Sequence, residues 1–395
     1  MKHSTTRALV GSIPAFAIAS LSMAALPPYI VKDLGTHAGF ETKLEPGSVG
    51  TAIAAGKATG YAVTSLPKRN FHAFRVAGAP MGDLGILVND EHSIGFGINV
   101  NGDVVGVSYK LGELVSHGVL WSANGTVTTL DTLEPHDINA AGTIVGSTPV
   151  NGVLGASHAT RRIGSVATDL GTLGGKSSMA FGVNDANWVV GQSLLANNKT
   201  THAFLVTTGA MVDLGTNGGV GSRAMDINGL RVVGIADATG NLPRATLWTL
   251  NADGTLASKS NLGTLPGAIN SAAFGVNSSG TIVGNSGDAA FVWTNGTMSD
   301  LNGMIDAESG WHLTKANGVD EAGRIIGVGK HYGLQRAFVL TPRAPADLDS
   351  DGTVGATDLA LLLGAWGNKG TSYDLTGDGL VGAEDLAVLL GAWGS

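Results

Sequence analysis

Cysteine is missing altogether, so no disulfide can brace the 395-residue chain, and its stability has to come from burial or from bound metal. Charge is scarce as well: 14% of residues are Asp, Glu, Lys or Arg, against roughly a quarter in ordinary globular domains. The scarcity is uneven. Residues 346–395 hold seven Asp, Glu384 and one Lys, which is seven of the eight net negative charges. The 345 residues before them carry a net charge of -1. No basic stripe exists that would follow a phosphate backbone, and this excludes a nucleic-acid groove. Past residue 24 no apolar run is long enough to span a bilayer. Disorder is excluded too, because 43% hydrophobic residues are enough for a core. What abounds is glycine, 60 of 395, as expected of a turn-rich β protein.

Residues 1–24 read as a secretory signal. Lys2 and Arg7 give a positive start, residues 8–21 are apolar, and Ser22-Met23-Ala24 offers small residues for cleavage. The alternative is an uncleaved anchor, for which the apolar run is short. The expected location is secreted, extracellular or associated with a cell surface, with no transmembrane segment after signal removal.

Residues 179–215 contain the unit on which the chain is patterned: four short apolar runs separated by Asn, Gly, Asp and Thr, each long enough for one strand. The Ile/Val-Asn step at Val183-Asn184 recurs at Ile98-Asn99, Ile138-Asn139, Ile227-Asn228 and Val276-Asn277. It becomes Val319-Asp320 and has a worn copy at Ile53-Ala54. Neighbouring copies stand 40–49 residues apart. Most lead into Gly-x-Val/Ile-Val-Gly, and the Asn-x-x-Gly between two apolar runs is a tight hairpin. A third run recurs at His72, His117, His158, His202, Arg244, Ala289 and Arg336. An Asp-Leu-Gly run stands at Asp33, Asp83, Asp169 and Asp213, altered at Leu130, Asn261 and Asp300. Four strands per unit of this length mark a propeller blade. Asp33-Leu34-Gly35 precedes any complete unit, and the last unit, ending after Phe338-Val339-Leu340, lacks such a run. The orphan strand therefore completes the last blade and removes the open edge. The expectation is a mainly β chain: a seven-bladed β-propeller over residues 29–342, closed by an N-terminal strand. A parallel β-helix, with shorter rungs, is the runner-up.

The His-Ala-Phe runs and the intact Asp169-Leu-Gly-Thr-Leu-Gly-Gly175 resemble the extracellular HAF-repeat proteins. The resemblance covers most of residues 29–342 and departs where His becomes Arg244, Ala289 or Arg336. It implies the repeat architecture and no particular activity. A residue that recurs once per blade is explained first by the blade. A metal ring of His72, His117, His158 and His202 is the less economical reading, since three of seven positions lack His. Non-repeating polar residues are the better candidates. Asp90, Glu91, His92, Glu134, His136, Glu308, Trp311 and His312 fall between an Asp-Leu-Gly strand and the next blade's first strand. Connections of that type emerge on one rim, so these residues are candidates for a ligand site, polysaccharide being the class that acids plus Trp suit. Plain solvated loops are the equally simple alternative.

After residues 343–346, a proline-containing linker, a segment appears twice at a distance of 27 residues. Asp347, Asp349, Asp351, Thr353 and Asp358 in the first copy, and Asp374, Thr376, Asp378, Leu380 and Asp385 in the second, hold loop positions 1, 3, 5, 7 and 12, with Gly352 and Gly379 at position 6. This is EF-hand spacing: side-chain oxygens at 1, 3, 5 and 12, a backbone carbonyl at 7, and Gly at the sharp turn. Two Ca2+ sites are expected, the first tighter because the second has Thr376 in place of a carboxylate. Val354 and Val381, at position 8, are expected to pair with one another. Asp at position 12, one helix per loop and the tandem copy make residues 347–395 resemble a type I dockerin. That family folds as two calcium loop–helix units, docks to cohesin modules and tethers mostly polysaccharide-degrading enzymes. The helices here depart from it in being Leu-rich, so a cohesin-like partner and another surface protein both remain open. The functional expectation is a secreted, non-catalytic binding or display propeller, attached through a calcium-dependent dockerin-like tail to a scaffold or surface partner. The alternatives are a secreted glycoside hydrolase carrying that anchor and a purely structural role in a surface layer.

Overall fold

The computed structural model describes residues 28–37, 47–64, 69–78, 80–113, 116–349, 351–369 and 371–394. The secretory-signal reading of residues 1–24 lies outside them. The described chain falls into two compact units, Pro27–Arg343 and Ala344–Ser395. No described helix is long and apolar enough to cross a membrane.

Seven four-stranded antiparallel sheets make up Pro27–Arg343. Six are continuous in sequence, at 48–83, 92–129, 134–169, 174–213, 218–261 and 271–300, and are numbered blades 1 to 6. Blade 7 takes three strands from the end of the unit, Trp311–Val319, Ile325–His331 and Leu334–Pro342, and its outer strand, Tyr29–Asp33, from the beginning. That strand runs antiparallel to its neighbour, Tyr29 opposite Pro342 and Asp33 opposite Phe338. The chain is thus a seven-bladed β-propeller, closed by the strand the orphan Asp-Leu-Gly run predicts.

The blades cohere through their faces. Val190, Ala203 and Leu205 of blade 4 are buried against Ala224, Val232 and Trp248 of blade 5, and Val283, Ala290 and Val292 of blade 6 against Leu313, Ala316 and Phe338 of blade 7. Burying one large apolar side chain is worth about 1.5–3 kcal/mol, so stability is spread around the ring rather than held in one centre. The Trp248 indole N–H donates to the Leu214 carbonyl at 3.0 Å, which satisfies the one polar atom of a fully buried ring.

Each inner strand breaks register at one position shared by all seven blades, and those of blades 4, 5 and 7 break a second time nearer their start. The shared breaks fall between Gly50 and Ala52, Gly95 and Gly97, Pro135 and Asp137, Ala180 and Gly182, Ala224 and Asp226, Ala273 and Gly275, and Ala316 and Gly318. One residue is left over at each, the geometry of a β-bulge. The bulge accounts for the glycine that closes Gly-x-Val-Val-Gly. A Cβ built on Gly106 would overlap the Ile94 carbonyl oxygen, and the equivalent glycine of each other blade faces the inner-strand carbonyl in the same way.

The C-terminal unit holds two helices, α1 (Ala356–Gly364) and α2 (Ala383–Gly391), each entered from an Asp-rich loop. Leu348, Val354, Leu362, Val381 and Leu389 form its core. Val354 and Val381 meet in that core, but the expected pairing is replaced by a crossed one. Gly394, after α2, donates to the Val354 carbonyl at 2.8 Å, and Gly367, after α1, donates to the Val381 carbonyl at 2.9 Å. Each loop is fastened to the exit of the other helix, so both valines can turn their side chains to the same apolar centre.

Candidate functional site

The repeated polar residues are occupied in holding the blades. His202 Nδ1 lies 2.8 Å from Asp213, His158 Nδ1 2.8 Å from Asp169 and His72 Nδ1 2.9 Å from Asp83, each pair joining the third and fourth strands of one blade. The same Asp accepts the N–H of the glycine two residues on, as Gly215 donates to Asp213 at 2.7 Å. That glycine has φ +67°, the left-handed region, so Asp-Leu-Gly is a turn formula. In blade 7, where Arg336 stands at the His position, His331 supplies the imidazole, 2.7 Å from Asp33. The recurrent Asn laces one blade to the next. Asn99 donates to the Asn139 carbonyl (3.2 Å), Asn139 to that of Asn184 (3.0 Å), Asn184 to that of Gly229 (3.1 Å) and Asn277 to that of Asp320 (3.0 Å). Blade 1 has Ala54 at this position. Asp320 meets it by accepting the Gly56 N–H at 2.9 Å, which a carboxylate can do and an Asn amide nitrogen cannot. A further lacing lies outside the sequence expectations. Ser93, Ser178 and Ser271, five or six residues before the Ile/Val-Asn step, each accept an N–H from the preceding blade's third strand and donate to the carbonyl of its Asp-Leu-Gly or Asn-Leu-Gly glycine. Serine at that offset is the signal that marks it in the sequence.

The rim candidates separate into three local groups. Asp90, buried, takes the Asp-Leu-Gly role for His117 at 3.2 Å, because blade 2 has Leu130 in place of that aspartate's run. His92 accepts the Phe71 N–H at 3.1 Å and stacks on Tyr109 at 5.2 Å, with Glu91 half-buried beside it. Trp311 stacks on His331 at 4.6 Å, His312 stands 3.9 Å from Asp288, and Glu308 is exposed in a short 3-10 turn. Glu134 and His136 lie in the inner strand Glu134–Ile138, His92 in His92–Ile98, and Trp311 and His312 in Trp311–Val319, rather than in a connection. Of the eight, only His136 lines either of two cavities whose walls draw residues from all seven blades.

Those cavities follow the ring's axis. One, of about 610 Å³, lies at the Asn-laced end. The other, of about 400 Å³, continues it and shares Ile53, Ile98, Asp137, Asp226 and Val319 with it. Its wall contains the residue left over at the shared break of each blade: Thr51, Phe96, His136, Phe181, Met225, Phe274 and Asn317. A bulge re-aims the side chain it carries, and here seven bulges aim seven side chains inward. Phe96, His136 and Phe181 form a continuous aromatic wall, with centroids 5.7 and 5.2 Å apart. Lys315 Nζ stands 3.8 Å above the Phe274 ring. Two aspartates sit one residue past their bulges. Asp137 accepts the Ile138 N–H (2.8 Å) and, across blades, the Val183 N–H (2.9 Å); Asp226 accepts those of Ile227 (2.7 Å) and Val276 (2.9 Å). Burial pushes both carboxyls up, Asp226 to about 7, and the Asp137 charge adds to the Asp226 shift. Burial likewise brings His136 down to about 4 and lowers Lys315. The channel therefore holds a neutral imidazole, a lysine and two carboxyls in apolar walls.

In the C-terminal unit Asp347, Asp349 and Asp351 bring one carboxylate oxygen each within 4.8 Å of one another, a group that could hold a metal ion. Hard carboxylate donors with no nitrogen or sulfur suit a hard cation. Asp358, placed by spacing at position 12, accepts the N–H groups of Leu348 (2.6 Å), Asp349 (3.0 Å) and Gly355 (2.7 Å). Thr353 donates its hydroxyl to Asp351 at 2.8 Å. In the second loop Asp374 accepts from Gly377 and Gly379, Asp378 from the Leu380 N–H, and Asp385 from Thr376 and Gly382. Burial raises the Asp358 and Asp385 carboxyls, and the N–H groups they accept outweigh it, leaving both below the usual range.

No family model matches the chain, and no curated protein matches it. Solved structures do. A puromycin-hydrolysing peptidase from Mycobacterium tuberculosis aligns at 11% identity and TM-score 0.52, over 80% of this chain and 54% of its own, so this chain spans about half that peptidase. TolB from Acinetobacter baumannii aligns at 11% identity and TM-score 0.44, over 73% of this chain and 67% of its own. A gluconolactonase from Xanthomonas campestris aligns at 13% identity and TM-score 0.39, over 81% and 92%. At such identities the likeness is one of fold, the β-propeller.

Proposed function

We propose that this chain is a secreted, non-catalytic binding and display propeller of the HAF-repeat kind. Its dockerin-like tail, loaded with Ca2+, attaches it to a scaffold or surface partner. The observation that carries this reading is the channel. Seven bulges direct side chains of differing type into one cavity, while the recurrent His, Asp, Asn and Ser side chains are spent on joining strands and blades. A rigid ring with a variable interior is what selective binding needs, because the walls are ordered before the ligand arrives. Polysaccharide is the ligand class, received at the channel and its rim. For the tail, three clustered carboxylates in an EF-hand spacing support calcium, and a cohesin-like or other surface protein is the partner.

One observation favours the alternative, a glycoside hydrolase. A carboxyl raised to about 7 beside a second one is the disposition of a general acid, although both carboxyls here are held by backbone N–H groups. A single experiment separates the readings. The chain is incubated with soluble and insoluble polysaccharides, in Ca2+ and in EGTA, and both pull-down and released reducing ends are measured. Pull-down without release is expected. Release abolished by Asp226→Asn would replace this proposal with the hydrolase, and neither pull-down nor release would remove polysaccharide as the ligand.

A further inference from the structure

Lys315 carries the most telling charge in the channel. Its side chain is half-buried and, among the described residues, its ammonium makes no ion pair and no hydrogen bond; its contact is the Phe274 ring, 3.8 Å away. Even a half-buried charge without a counter-charge loses hydration, and a cation–π contact offsets only part of that cost. The same wall offers aromatic faces at Phe96 and Phe181. Asp137 and Asp226 spend one lone pair of each oxygen on backbone N–H groups, which leaves further acceptor capacity toward the cavity. Among the described residues, the Nδ1 of His136 has no hydrogen-bond partner.

We propose that the channel binds a small hydroxylated carboxylate of the uronic-acid class. Its carboxylate meets Lys315, its ring face lies on the phenylalanines, and its hydroxyls donate to Asp137 and Asp226. Each part answers a different feature. The negative charge neutralises the uncompensated ammonium, the ring covers apolar wall that water wets poorly, and donors fit a floor made of acceptors. A neutral sugar satisfies the last two and leaves the lysine unpaired. A cavity of about 400 Å³ admits one such ring, so the site takes a chain end or a free monosaccharide. The assignment rests on the reading of the propeller as a binding module and names its ligand.

The test is titration calorimetry of the full chain with glucuronate, galacturonate and glucose. At least one uronate is expected to bind roughly ten-fold or more tighter than glucose, the range of a charge-assisted contact. Lys315→Met, which keeps the apolar stem and removes the half-buried charge, is expected to reduce the uronate to the glucose level and leave glucose unchanged. Lys315→Arg is expected to restore the preference. Equal binding of uronates and glucose by the wild-type chain overturns the proposal whether or not the variants fold, as does a Lys315→Met chain that folds and still prefers the uronate. If polysaccharide is pulled down and free uronate neither binds nor competes, this assignment fails while the binding-module reading stands. If nothing binds, both fail.

Discussion

Replacing Asp226 by Asn should change how stability depends on pH, and the structure gives both sign and size. The folded-state carboxyl lies at about 7 because burial, and then the Asp137 charge, disfavour its ionised form. In the unfolded chain it titrates near 4. Between those values the folded protein holds a proton that the unfolded chain has lost, so stability falls as pH rises. The loss is about 1.4 kcal/mol per pH unit and about 4 kcal/mol in all, complete by about pH 7 and absent below about pH 4. Asn cannot titrate, and its single amide oxygen can accept from Ile227 or from Val276 but not both. That costs about 1–3 kcal/mol at every pH. The variant should be the less stable protein at pH 4.5 and the more stable one at pH 8, with the curves crossing between about pH 5 and 6. Relief of repulsion with Asp137 acts in the same direction. Urea unfolding by near-ultraviolet circular dichroism suits the measurement, since five of the seven Trp precede residue 344. Parallel curves from pH 4.5 to 8 would refute the reasoning.

Asn139→Ala removes donors to Asn184 and Asn187 and the acceptor for the Thr143 N–H, and should cost about 2–4 kcal/mol by urea unfolding, while exposed Asn101→Ala should cost under about 1 kcal/mol. His202→Ala breaks a partly exposed pair, so its effect should stay below about 1 kcal/mol and vanish in high salt. Gly106→Ala forces a Cβ into the Ile94 carbonyl and should leave little folded protein, read as soluble yield and thermal midpoint. Calcium titration should show two unequal sites, with Asp349→Ala abolishing the tighter one and Thr376→Asp strengthening the weaker.

The ring was legible because its evidence is periodic. A 40–49-residue spacing, a tight hairpin in most units and one orphan run decide blade number and closure without any knowledge of packing. The Asp347, Asp349 and Asp351 group, which could hold a metal ion, was legible for a similar reason, since loop spacing translates directly into geometry. The channel was not. A bulge leaves no residue signature of its own, and Phe96, Phe181 and Phe274 read as ordinary core. Glu134 and His136 were expected in a connection, whereas Pro135 between them stands at the register break of an inner strand. The crossed fastening of Val354 and Val381 depends on which helix exit meets which loop, and a one-dimensional repeat does not carry that.

Asp33 and His331 are partners 298 residues apart, and the strand that bears Asp33 closes the ring. Synthesis therefore delivers this strand first among the strands of the ring and its mate last among them. Until residues 334–342 are made it has nowhere to go: six blades can form and stack while it waits as an unclaimed edge. Closure is a late, single event on which every growing chain depends. A competing peptide that copies residues 29–33 would act in that interval alone, capping blade 7 before the chain's own strand arrives and leaving the finished ring untouched.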